Sequence, residues 1–203
     1  MRFAGLLSTC SAAVLCVIAE NAVLGHDPDT VLPRFERREV ELAVRDFTLT
    51  DQDGRQLAFK HLSGKVVVLG FGYTTCPDVC PLMTATMLSV QRTIPENQKG
   101  SVYFLTVTTD PEIDTPAVLG AYARRYGADL SNWAFLTGPP SALKRVWENF
   151  GLRPVKKARG LVEHAPLTVL IDRQGIARLA YIGGSPEARV MRRDVAELLQ
   201  RRS

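Results

Sequence analysis

The stretch Phe71-Gly72-Tyr73-Thr74-Thr75-Cys76-Pro77-Asp78-Val79-Cys80-Pro81-Leu82-Met83-Thr84-Ala85-Thr86-Met87 decides how the rest of the chain is read. It follows Val66-Val67-Val68-Leu69-Gly70, an apolar run with the length and β-branching of a buried strand. A turn through Thr74–Pro77 then leads into helical spacing, with Pro81 suited to a first helical turn. Cys76 and Cys80 sit at that strand-to-helix junction. Residues four apart share a helix face, and the positive end of the helix dipole favours their thiolates. Thiolates bind soft metals such as Cu(I), and they exchange disulfides. Met83 and Met87 lie on the face of Cys80. Their thioethers suit Cu(I) too, although methionine on a helix is more often core filler.

Working outward, Glu41–Leu49 and Arg55–Phe59 read as two strands joined by the Asp51-Gln52-Asp53-Gly54 turn, an N-terminal hairpin. The helix after the cysteines is expected to run to about Ile94, before Pro95. Ser101–Thr109 is a third strand run. Thr115 and Pro116 form an N-cap and first helical position, and the helix ends near Gly127. Asp110 and Asp114 precede it, with capping as their ordinary role. Trp133–Leu136 reads as a strand, and Ser141–Phe150 as a helix capped by Ser141. A basic loop, Arg153–Gly160, follows. Leu161–Ile171 and Ile176–Ile182 form an antiparallel pair around Asp172-Arg173-Gln174-Gly175, and Pro186–Gln200 is an amphipathic helix. Alternating strands and helices closed by an antiparallel pair describe an α/β domain with a mixed central sheet between helical layers. A thioredoxin-like fold has this order and carries its redox motif where Cys76 and Cys80 lie. There is no internal repeat and no second domain.

Composition sets the outer bounds. The 203 residues are 46% hydrophobic and 23% charged, enough for one domain with a real core. The net charge of +4 comes without an aromatic-interleaved basic stripe, which argues against nucleic-acid binding. Basic residues cluster in Arg153–Arg159 and Arg189–Arg202, either as solvated faces or as docking sites for an acidic partner or an anionic membrane. Residues 1–25, with Arg2 and the apolar stretch Phe3–Ala19, read as a signal peptide or an N-terminal membrane anchor. Cleavage would follow Ala19 or Gly25, and export points to a bacterial periplasm. Cys10, the alternative lipid-attachment residue, and Cys16 belong to that leader, which leaves Cys76 and Cys80 as the working thiols. Residues 26–40 read as a linker and 41–203 as the domain.

The chain resembles the SCO/SenC family of copper-handling proteins that serve cytochrome c oxidase assembly. Phe71-Gly-Tyr-Thr-Thr-Cys76-Pro-Asp-Val-Cys80-Pro resembles its cysteine signature, and Asp110-Pro-Glu-Ile-Asp114-Thr115 its Asp-Pro-Glu-x-Asp-Thr segment. Val162-Glu163-His164 stands where the family has Val-Asp-His, with Glu163 lengthening the carboxylate. The resemblance implies a copper site of Cys76, Cys80 and His164. It implies a metallochaperone that delivers copper to the dinuclear copper centre of the oxidase's copper-bearing subunit, after loading from a periplasmic donor. Two thiolates and an imidazole suit Cu(I) and, with a further ligand, Cu(II). The alternative is a thiol–disulfide oxidoreductase whose Cys76–Cys80 pair keeps the oxidase cysteines reduced; a peroxide-reducing thiol enzyme is a third reading. His164 discriminates, since dithiol exchange does not need it. By likeness to thioredoxin-like relatives, Ala165–Pro166 is expected to be cis. Asp78 reads as a tuning residue, His61 as solvated, and His26 as a chelating N-terminus if cleavage follows Gly25.

Overall fold

The computed structural model describes residues 35–201 together with Met1. The leader and the first part of the linker, including Cys10, Cys16 and His26, lie outside the described residues. Among the described residues no helix is long and apolar enough to cross a membrane.

The described residues form ten strands: β1 (Glu36–Ala43), β2 (Thr48–Thr50), β3 (Gln56–Ala58), β4 (Val66–Gly72), β5 (Val102–Thr108), β6 (Trp133–Leu136), β7 (Val155–Lys156), β8 (Val162–Glu163), β9 (Leu167–Ile171) and β10 (Ile176–Ile182). The helices are α1 (Val79–Gln91), α2 (Pro116–Tyr126), α3 (Pro140–Asn149) and α4 (Ala188–Gln200). Six strands make the central sheet in the order β1-β10-β9-β4-β5-β6. The β4, β5 and β6 neighbours are parallel, and β9, β10 and β1 are added antiparallel.

β4 is buried along its whole length because both faces of the sheet are covered. Its alternation assigns the layers. Val67, Leu69 and Phe71 enter a core with Leu49 of β2 and with Leu143 and Val146 of α3. Val66 and Val68 enter a second core built by Met87 and Val90 of α1, Leu119 of α2, and Met191 and Val195 of α4.

Several boundaries differ from the sequence reading. The expected first strand, Glu41–Leu49, is two elements. β1 starts at Glu36, inside the expected linker, and pairs with β10 rather than with a hairpin partner. Five charges in eight residues hide its alternation, as befits an edge strand that must resist pairing with other chains. The hairpin itself is the short β2–β3 pair, tied to the end of β6 by a bridge between Thr50 and Thr137. Ser141 does not cap α3, which begins one residue earlier at Pro140 and has no side-chain cap; proline's preset φ suits that first position. The segment read as a basic loop contains β7, paired with β8. Two-residue strands are too short to leave a periodic signal. At α2 the reading holds: Thr115 accepts a hydrogen bond from Val118 N, Pro116 opens the helix, and Gly127 closes it at φ +68°.

The sheet's outer strand is fastened by a buried carboxylate. Asp194 of α4 is fully buried and accepts hydrogen bonds from Arg37 of β1 at 2.7 and 3.2 Å, from the Tyr181 hydroxyl of β10 at 2.6 Å, and from Arg193. Burial pushes its pKa up, but these donors, Arg37 foremost, outweigh it and hold the carboxyl below its ordinary value. Its stabilisation is therefore complete above the ordinary carboxylate pKa, near pH 4, and fades as the pH falls through the lower folded value. Asp194→Asn should cost about 2–4 kcal/mol at neutral pH and flatten the acid limb of the stability curve, as read by urea unfolding across that range.

Candidate metal centre

The site begins with two missing side chains. A Cβ on Gly72 would lie 3.1 Å from Cys80 Sγ, and one on Gly70 would lie 3.2 Å from Met87 Sδ. These glycines, two apart on the same face of β4, let α1 lie against the strand and place Cys80 over its last residue. Cys80 is buried in the first turn of α1, while Cys76, in the preceding loop, is half-buried. Both are free thiols.

The helix start is arranged around the Cys76 sulfur. Asp78 stands at the N-cap but its side chain makes no capping hydrogen bond. The Cys80 thiol donates to Cys76, the backbone N–H groups of Asp78 and Cys80 donate to it, and so does the Tyr73 hydroxyl. Together, the Cys80 bond foremost, they outweigh burial and bring the Cys76 pKa down to about 6. The sulfur thus occupies the anion position of a helix N-terminus. Its gain is the neighbour's loss: the hydrogen bond to Cys76, burial and the Cys76 charge push the Cys80 thiol up. Those strongest influences on Cys76 include no arginine, the helper that the peroxide-reducing reading would want.

Two acidic residues thought to cap α2 do other work. Asp114 is buried and accepts from Thr74 N at 3.2 Å, from the Thr74 hydroxyl and from the Thr108 hydroxyl, so it fastens the cysteine loop to the end of β5. Burial pushes its pKa up despite these donors. Asp110, also buried, lies 3.5 Å from Lys156 Nζ of β7, which also meets Glu112. The acidic loop therefore holds the β7–β8 hairpin.

That hairpin leads to His164. Val162 N donates to the Tyr73 hydroxyl at 3.1 Å, and the His164 ring meets the Tyr73 ring edge-on with centroids 6.2 Å apart. His164 Nδ1 lies 3.1 Å from Ala165 O. A carbonyl only accepts, so Nδ1 carries the proton in that bond and Nε2 keeps its lone pair for a ligand. Burial lowers the His164 pKa, which favours the neutral ring.

The three expected ligands are thus assembled only in part. The two thiols meet, but among the described residues no three His, Cys, Asp or Glu side chains lie close enough to hold a metal. His164 stands off, beside the Tyr73 ring. Met83 packs with Tyr73, Val79 and Cys80, and Met87 lies in the core against Gly70, so both act as filler. His61 is exposed in a turn after β3. The Ala165–Pro166 bond, expected to be cis, is trans, as is every described peptide bond; trans is the intrinsic preference even before proline.

The sequence pattern of the SCO1/SenC family matches residues 36–200. The chain belongs to the SCO1/SenC family. The SCO1 protein homolog of Bacillus subtilis (strain 168) is 36% identical over 95 residues, 47% of this chain and 49% of that protein, so the chain matches about half of that relative's length. A SCO1/SenC family lipoprotein from Bacillus anthracis str. Ames superimposes with a TM-score of 0.73 at 32% identity, covering 80% of this chain and 98% of the other. ScoI of Bradyrhizobium japonicum, solved with copper bound, gives 0.65 at 27% identity, covering 77% of this chain and 99% of the other. A further Sco structure is described as showing a disulfide switch in a member of the Sco family of cytochrome c oxidase assembly proteins. It gives 0.69 at 27% identity, covering 84% and 99%. The fold is the thioredoxin-like one expected, with its mixed sheet between helical layers.

In this SCO1/SenC chain the two cysteines should be chemically distinct. Alkylation of Cys76 by iodoacetamide should rise with a midpoint at a pH of about 6, while Cys80 stays unreactive through neutrality; peptide mass mapping across a pH series reads both. Tyr73→Phe keeps the ring and removes the hydroxyl. It should raise that midpoint and speed hydrogen exchange at the Val162 amide by about tenfold. Unchanged exchange would remove Tyr73 as the link between the two segments.

Proposed function

We propose that this chain carries one copper ion on Cys76, Cys80 and His164 and hands it to the copper-bearing subunit of cytochrome c oxidase. The observation that carries this reading is the pairing of a half-exposed Cys76, its pKa lowered, with a neutral His164 whose Nε2 is unprotonated, the two joined through Tyr73. The copper-bound and oxidase-assembly relatives support it. Thiolates and imidazole are the donors that soft Cu(I) selects. Copper is the cargo here. The protein's part is to offer two thiolates, keep His164 neutral, and let that residue move in to close the donor set. The β7–β8 hairpin suits such a movement, because the Lys156 ion pairs and the single Val162 to Tyr73 hydrogen bond are its polar ties to the cysteine end among the described residues. Binding requires both cysteines reduced, since a disulfide offers no thiolate. The leader supports export to the periplasm, where the oxidase's copper-bearing subunit would be met.

A second reading rests on a specific observation: the two cysteines are shifted in opposite directions and meet without His164. That is the arrangement of a dithiol reductant. The Cys76 thiolate would attack a substrate disulfide and release one thiolate, which takes the Cys80 proton. Cys80, now a thiolate, would then attack the mixed disulfide, release the second substrate sulfur as a thiolate that takes its proton from water, and leave the Cys76–Cys80 disulfide, with two electrons passed to the substrate.

Anaerobic Cu(I) and Cu(II) titration of the reduced protein, wild type beside His164→Ala, separates the two. The copper reading expects one ion per chain and weakening by more than about 100-fold in the variant, since even supporting shells around a metal are worth 10–100-fold. Weak binding in both proteins, with disulfide reduction surviving His164→Ala, would leave the reductant reading standing.

A further inference from the structure

Away from the cysteines, four arginines gather round one open groove. Arg189, Arg192 and Arg193 of α4 line it together with Arg173 of the turn between β9 and β10. The third side is the stretch that follows α1, which contributes Gln98 and Ser101. No carboxylate lines it. The thirteen residues of α1 put the groove about 20 Å from Cys80.

Two of the four arginines are engaged and two are not. Arg189 reaches Glu187 at 3.2 Å, and Arg193 reaches Asp194 at 3.1 Å and Glu197 at 3.8 Å. Asp194 is already shared with Arg37 and Tyr181. Glu96, at the start of the stretch after α1, is taken by Lys99 at 2.7 Å. Arg201 lines an adjoining hollow with Arg173, and the acid there, Asp172, is bound by Arg178 at 2.6 Å. The ion pairs among the described residues thus leave Arg173 and Arg192 without a carboxylate. The side chains of Gln98 and Ser101 likewise make no hydrogen bond among the described residues. Arg189 stands three residues before Arg192 and four before Arg193, so like charges face one another along one side of α4 and weaken it. An anion in the groove would remove that repulsion.

The donors are placed before any ligand arrives. Asp172 accepts from Gln174 N and Ile176 N, and Arg173 O accepts from Gly64 N at 3.0 Å, so the turn that carries Arg173 is fixed. The donor set also selects among anions. A carboxylate has two oxygens in one plane, and a single guanidinium fork satisfies both. Here two uncommitted guanidiniums come from separate elements, with an amide and a hydroxyl on a third. A phosphate group, with oxygens directed to several sides, can use donors that converge in this way.

We propose that this groove is a binding site for a phosphate group, on the headgroup of an anionic phospholipid or on a free polyphosphate, held chiefly by Arg173 and Arg192. Such a site stands apart from the cysteines and does not depend on the copper reading. With a lipid headgroup in the groove, this end of the domain would rest on a bilayer and the cysteines would stand about 20 Å away.

The test is amide chemical-shift mapping of the reduced, metal-free full chain with inorganic pyrophosphate, with dihexanoyl phosphatidylglycerol, and with citrate, a tricarboxylate of similar charge to pyrophosphate. One or both phosphate probes should shift Gln98, Ser101, Arg173 and Arg192 in a saturable way, and citrate should bind more weakly. The tighter of the two phosphate probes identifies the source, headgroup or free anion. Arg173→Gln and Arg192→Gln remove side chains without partners, so the urea midpoint should hold while phosphate affinity falls about tenfold or more in each. Arg192→Lys, which keeps the charge and loses the fork, should recover only part of that loss. Citrate binding as tightly as the phosphate probes would overturn the proposal in favour of a carboxylate site, the chemistry of an acidic polypeptide. Shifts spread evenly over the basic surface, or affinity unchanged in both glutamine variants, would overturn it outright.

Discussion

Everything at the working end depends on how closely α1 approaches β4. The contact is set by what Gly70 and Gly72 lack, for the sulfurs of Met87 and Cys80 fill the space that side chains would take. The approach lays the start of the helix on the end of the strand. The unpaired N–H groups of the first turn then point to the Cys76 sulfur. Asp78, which could have capped them, leaves them to the thiolate. The burial of Cys80, its raised pKa and the lowered pKa of Cys76 are three outcomes of one packing constraint.

Around that contact the protein is fastened in two ways. The cysteine loop is tied to the rigid sheet by Asp114, whose carboxylate is buried against two threonine hydroxyls and a backbone N–H. The segment that bears His164 is tied to the cysteines by one tyrosine hydroxyl and to the acidic loop through the single side chain of Lys156, which meets exposed Glu112 and buried Asp110. The two thiols are thus held by a packed helix and a buried carboxylate, and His164 by a few polar contacts. The copper carrier proposed above, which would both hold an ion and release it, has use for that asymmetry.

Much of this was legible in the sequence where local chemistry repeats. The buried run of β4, the Thr115-Pro116 start of α2 and the Asp172–Gly175 turn each announce themselves in a few consecutive residues. In that turn Asp172 accepts from Gln174 N and Ile176 N. The edge strand β1 escaped because its charges mask the alternation, and one of them, Arg37, turns inward to Asp194. Asp114 was read as a capping residue because its partner Thr74 lies 40 positions away. The role of Tyr73 was invisible for the same reason, since Val162 is 89 positions distant. The site residues themselves were named from the motif. Their partial assembly, with His164 standing off, is a matter of tertiary geometry that no spacing encodes.

The pairing of β1 carries a mechanical consequence. Glu36 lies opposite Ile182, and the next residue, Gly183, donates to Pro166 O, close to His164. The polypeptide therefore enters its sheet at the same end as the cysteines. Whatever disturbs that end of the pairing, where Glu36 faces Ile182, is felt one residue on, at the Gly183 to Pro166 hydrogen bond beside the segment that bears His164.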